Sequence, residues 1–155
     1  MRDIALKKAA ELAEKLAEEQ GLELVSYRSY KDEEGTEFLE ILVDHDYRIT
    51  IEEIEAYSQV LSDRLDTIEE LDGPYMLDVA SPGVDRDVPK ADLPKLLGRY
   101  LEITAENLKV GDRVEGTLES IENDVVALKR FIKGAKKVYR IPISDILNVR
   151  LTVKS

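Results

Sequence analysis

The chain has 155 residues with no cysteine, no tryptophan and one histidine, and its 33 acidic residues against 22 basic ones give a net charge of −11. This composition excludes a disulfide framework, a thiolate metal site and a cysteine nucleophile, and no apolar run approaches the roughly 20 residues of a membrane span. The opening MRDIALKKAAELAEKL is charged and periodic, with no apolar signal-peptide core, so a soluble cytoplasmic protein is expected.

The stretch from Asp3 to Gln20 reads as a helix, with Asp3 as its N-cap. Leu6, Ala9, Ala10, Ala13, Leu16 and Ala17 recur at helical spacing and form a narrow apolar stripe. Gly21 stands where a left-handed C-terminal cap belongs. Leu22 to Tyr30 and Phe38 to Asp44 are rich in strand formers and flank a polar turn at Gly35, which predicts an antiparallel hairpin with Leu39, Ile41 and Val43 on one face. Thr50 and Glu53 form a capping-box pattern. A second helix follows through Ile54, Tyr57, Leu61, Leu65 and Ile68, ending near Leu71 before Asp72-Gly73-Pro74. Tyr75 to Ser81 then reads as a strand. The order α-β-β-α-β is that of a small α+β unit with helices on one sheet face.

Pro82 and Gly83 close that unit, at residues 1–83. The proline-punctuated stretch 84–98 reads as a linker with one helical turn at Leu93 to Leu97. Residues 99–155 then change character. RYLEITA, RVEGTLESI, DVVALKRF, KVYRIPI and NVRLTV are short strands separated by turns at Gly111, Asn123-Asp124 and Gly134. A single 3₁₀ turn at ISDI precedes the fifth. Five such strands fit a small SH3-like or Sm-like barrel.

Charge is split along the chain. Residues 1–90 carry 10 Lys/Arg against 24 Asp/Glu, a net of −14; residues 91–155 carry 12 against 9, a net of +3. The acidic half suits a basic protein partner, or serves solubility alone. In the second half Lys129, Arg130, Lys133, Lys136, Lys137 and Arg140 bracket one hairpin, with Phe131 and Tyr139 among them. Cations interleaved with aromatics suit a surface that tracks an RNA backbone. Lysines that guard a hairpin against edge pairing would look the same.

No phosphate loop, G-x-S-x-G elbow or H-E-x-x-H motif occurs. Asp44-His45-Asp46 could hold a divalent ion or move a proton, yet neighbours on a strand point to opposite faces, so a polar turn is the expected use. Ser81 has no histidine beside it in the sequence to act as a base. Asp78 in its apolar strand reads as structural. Asp85-Arg86-Asp87 suits an internal ion-pair lock, or a guanidinium presented to an anion. No catalytic, cofactor or metal residue is expected.

The run Tyr75-Met76-Leu77-Asp78-Val79-Ala80-Ser81-Pro82-Gly83-Val84-Asp85-Arg86 resembles the signature strand and S-P-G-[hydrophobic]-D-R loop of the bacterial ribosome maturation factor RimP family. Leu42-Val43-Asp44, Tyr57-Ser58, Leu65-Asp66 and the order of elements add to that resemblance, which covers essentially the whole chain. Asp87 departs from the family's usual proline, and Asp46-Tyr47-Arg48 replaces its glycines. The resemblance implies a non-catalytic assembly factor for the free small (30S) ribosomal subunit, with no cofactor and no membrane partner. It implies contacts with ribosomal RNA and with a basic small-subunit protein. On this reading the chain works as a monomer. Ser81, Pro82, Gly83, Asp85 and Arg86 form an interdomain loop in which Asp85 and Arg86 fix the two domains, and the six cations meet RNA. A stand-alone Sm-like RNA-binding regulator is the alternative.

Overall fold

The computed structural model describes residues 1–83 and 85–154; Val84, the first residue of the expected linker, and Ser155 lie outside the described residues. The chain is α+β and divides into two units, Met1–Pro82 and Gly83–Ser155.

The first unit runs α1 (Asp3–Glu19), β1 (Glu23–Lys31), β2 (Glu37–Asp44), α2 (Ile51–Leu65) and β3 (Met76–Ala80). Asp3 is not the cap expected of it. Arg2 holds the N-cap position without a side-chain bond, and Asp3 begins the first turn, where a carboxylate suits the positive end of the helix dipole. Gly21 does end α1: at φ 71° it lets its own N–H reach Glu18 O (3.2 Å) while Leu22 N–H reaches Ala17 O (2.8 Å). Those two bonds are a Schellman motif, and they turn Leu22 back into the core.

Helix α2 starts with the expected capping box of Thr50 and Glu53. It stops at Leu65, six residues short of Leu71, with Asp66 as its C-cap. There the Thr67 hydroxyl donates to Arg64 O at 2.7 Å, a local bond that competes with the helical ladder. Ile68 leaves the helix yet still packs on the core.

The sheet order is β1-β2-β3, antiparallel between β1 and β2 and parallel between β2 and β3. A parallel pair needs a crossover, and α2 is that crossover. Leu39, Ile41 and Val43 alternate onto the face that α1 and α2 cover and are fully buried. Along α1, Ala5, Ala9, Ala13 and Ala17 recur every four residues and are buried. Methyl side chains leave room for a large partner, and Tyr57 of α2 fills it: wholly buried, its hydroxyl donates to Ala13 O at 2.7 Å. Burial pushes this phenol up to about 12. On the other sheet face Arg28 pairs with Glu40 (2.9 Å) and lies over the Tyr30 ring, which stacks on Phe38 at 5.2 Å.

The second unit contains β4 (Arg86–Val88), a 3₁₀ helix (Lys90–Leu96), β5 (Tyr100–Ala105), β6 (Arg113–Glu122), β7 (Val125–Ile132), β8 (Ala135–Pro142), a 3₁₀ turn (Ile143–Asp145) and β9 (Ile146–Leu151). The five expected strands are β5 to β9, and the ISDI turn lies where the sequence puts it. The additional strand, β4, falls in the stretch expected to be linker, and the 3₁₀ helix there buries Leu93 and Leu96. The order is β4-β9-β5-β6-β7-β8, with every ladder antiparallel. This is a β-rich unit whose end strands are β4 and β8. A closed barrel would need a further ladder joining β8 to the far side of the sheet, and none is present among the described residues.

Two tight hairpins set the register. Asn123 and Asp124 (φ 51° and 61°) join β6 to β7, and Lys133 and Gly134 (φ 52° and 80°) join β7 to β8. Paired positive φ values at a two-residue loop are those of type I′ turns. At Gly116 on β6, an added Cβ would lie 2.8 Å from Lys129 O and 3.3 Å from Leu128 Cβ. The backbone of β7, paired antiparallel to β6, therefore occupies the space that a side chain at this position would need.

Two stability predictions follow from these contacts. Tyr57→Phe keeps the ring and removes the buried donor, so the first unit should lose about 1 kcal/mol in a urea titration followed by its amide NMR signals. Gly116→Ala should cost the second unit about 1–3 kcal/mol through overpacking against backbone, with the first unit's transition unmoved.

Candidate nucleic-acid interface

The six cations read from the sequence lie on β7, the Lys133-Gly134 turn and β8. Pairing opposes Arg130 to Lys137, Lys129 to Val138, Ala127 to Arg140 and Phe131 to Lys136. The hairpin thus gathers all six, but they are not equivalent. Arg130 donates to Glu115 at 3.1 Å and Lys136 meets Glu119 at 3.5 Å, both carboxylates on β6. These two charges are partly neutralised within the sheet. Lys129, Lys133, Lys137 and Arg140 have no ion-pair partner among the described residues. Phe131 is exposed at the hairpin end, and Tyr139 is half-buried opposite Leu128.

A groove of about 500 Å³ runs beside β8. One wall is Lys137 to Ile141; the other is Asn107-Leu108-Lys109-Val110, in the loop between β5 and β6, with Val114 between them. The sequence shows LKVGD only as a turn. Lys109 joins the basic group through tertiary structure alone; in the sequence it is a single cation within a turn.

The loop residues singled out earlier divide between the units. Ser81 is exposed and Pro82 half-buried at the end of the first unit; Gly83 is exposed at the start of the second. Asp85 and Arg86 also belong to the second. The Asp85 carboxylate accepts from the Thr152 hydroxyl (2.7 Å), and its carbonyl accepts from Arg150 (3.1 Å). Arg86 pairs with Leu151 across the β4–β9 ladder. Asp87, where the resembled family has proline, accepts from Arg150 (3.3 Å) and Asn148 (3.1 Å). The aspartates thus use Arg150, far along the chain, which the sequence did not single out.

Around the lone histidine, the buried Asp44 carboxylate accepts from the backbone N–H of His45 (2.8 Å) and of Ile49 (3.3 Å). It closes the loop between β2 and α2. In that loop Asp46 and Tyr47 take φ values of 47° and 64°. Those are left-handed conformations that suit glycine, the residue type the family usually carries before this helix. His45 Nε2 lies 2.8 Å from Glu53. No group of three His, Asp or Glu able to hold a metal occurs among the described residues, and no helix there is long and apolar enough to cross a membrane.

The hydrogen bond from His45, with those from Thr50, holds the Glu53 carboxyl below its ordinary 4.5. A depressed carboxyl contributes stability above its unfolded pKa and loses it as pH falls through the folded value. The start of α2 should therefore weaken on acidification below about pH 4.5, and Glu53→Gln should flatten that dependence. Urea midpoints at pH 7 and pH 4 measure it; an acid-side drop undiminished in Glu53→Gln would assign it to other carboxyls.

Against known protein families, residues 12–85 match the model for the RimP N-terminal domain. The match spans the first unit from within α1 to the loop after β3, and ends at Asp85.

Proposed function

The chain belongs to the RimP family of ribosome maturation factors, and from that premise we propose that it is a non-catalytic assembly factor that binds the free small (30S) ribosomal subunit and leaves once the subunit has matured. The family match over residues 12–85 carries this reading. Release needs only a lower affinity for the mature surface than for the immature one. The charge split supports two kinds of contact. The acidic first unit suits a basic small-subunit protein, and the hairpin cations of the second suit ribosomal RNA. In this proposal the protein acts as a monomer in the cytoplasm, its second unit is an SH3-like or Sm-like barrel that strand pairing leaves open at β8, and Asp85 and Arg86 hold the loop between the units.

The experiment is co-sedimentation with separated small subunits, large subunits and intact ribosomes over a salt series. Selective binding to free small subunits is expected; binding to none, or to all alike, sinks the proposal. Replacing Lys129 and Lys133 with Gln should weaken binding and lower the salt slope by about 0.7–0.9 per lost phosphate contact. Lys136→Gln should change it less, because Glu119 already takes part of that charge.

A further inference from the structure

The groove beside β8 has an unusual lining for this chain. The protein carries three acidic residues for every two basic ones. Yet the groove is walled by three cations, Lys109, Lys137 and Arg140, and by no carboxylate. None of the three is in an ion pair among the described residues. Its remaining surface is apolar or aromatic, with Val110, Val138 and Tyr139 prominent and the Asn107 amide at one end. Val110 is 59% exposed, an apolar side chain in a loop that Asn107, at φ 62°, helps to turn.

We propose that this groove receives an unpaired nucleotide of single-stranded RNA, with the base against Val110 and Tyr139 and the flanking phosphates on Lys109, Lys137 and Arg140. The inference rests on the RNA contact proposed above and names where, and in what state, the RNA is taken. Three observations favour this occupant. A nucleotide is half flat apolar face and half anion, and the lining divides in the same way. A groove of about 500 Å³ falls within the usual range for small-ligand sites, on the order of 300–1,000 Å³, and so has room for one nucleotide. The unpaired cations Lys129 and Lys133 continue from the groove along the same hairpin, giving the backbone a path onward. A base stacked inside a duplex could not enter, so pairing state decides affinity here and sequence has little influence.

The test uses the full chain and a fluorescein-labelled decauridine, read by anisotropy over a salt series, with a ten-base-pair RNA duplex and hexaglutamate as competitors. Val110→Ser removes apolar surface at an exposed position and leaves every charge in place. It should weaken decauridine binding at least about fivefold, the loss of part of the apolar burial of one valine side chain against a base, with the salt slope unchanged. Lys109→Gln should lower the slope by about 0.7. The duplex should compete several-fold less well than unlabelled decauridine. Amide NMR spectra of both variants report that the fold is intact.

If wild type binds decauridine and Lys129→Gln weakens it while Val110→Ser and Lys109→Gln do not, the groove is overturned and the hairpin contact stands. If wild type binds no RNA, both fall. Competition by hexaglutamate as strong as by decauridine would make the groove a site for acidic peptides and overturn the nucleotide.

Discussion

Everything in the first unit depends on how closely α1 approaches its neighbours. The buried alanines of α1 hold no volume beyond a methyl, so the space between the helices is filled from one side by Tyr57. A phenol that large would be costly to bury with an unmet hydroxyl, and its bond to Ala13 O meets that demand. The contact fixes α2 along α1, and α2 is the segment that carries the chain from β2 to its parallel neighbour β3. The bond adds a polar tie to an otherwise apolar contact between the helix that covers the sheet and the helix that connects its parallel strands. In the second unit the corresponding constraint is an absence: Gly116 has no Cβ, and the backbone of β7 at Lys129 takes up that space.

The two units do different electrostatic work. Within the second, carboxylates on β6 quiet Arg130 and Lys136, while Lys109, Lys129, Lys133, Lys137 and Arg140 stay without ion-pair partners among the described residues. A count of positive residues overstates the usable charge of the hairpin and omits the cation across the groove. Sheet pairing, more than composition, decides which cations remain to meet an anion.

Local features of the fold were legible because local chemistry sets them. Period-two burial marks Leu39, Ile41 and Val43; Gly21 and the Thr50–Glu53 pair mark helix ends; the turn residues at Asn123-Asp124 and Gly134 mark hairpins. What stayed hidden depends on partners remote in sequence. Strand β4 has three residues, of which two are charged, and exists as a strand only through β9. The parallel pairing of β3 is decided by where α2 delivers the chain. The stop of α2 at Leu65 comes with local turn bonds, among them one from the Thr67 hydroxyl to Arg64 O, whereas the apolar spacing runs on to Ile68. Of the candidate interface the sequence shows the hairpin cations. It does not show the opposite wall of the groove, nor Arg150 between Asp85 and Asp87.

The pairing of β4 with β9 also bears on the order in which the protein can form as it is made. The first unit has all its strands once Ala80 has emerged from the synthesising ribosome, and such units fold as they become complete. The second begins at β4 and is closed by β9, through side-chain bonds between residues 61 to 67 positions apart. Its two I′ hairpins can zip locally, but β4 has no neighbour to pair with until Leu151 has been added. Residues Asp85 to Val88 therefore emerge without a pairing partner and wait through the synthesis of five further strands, so β9 decides when β4 can take its place in the second unit's sheet.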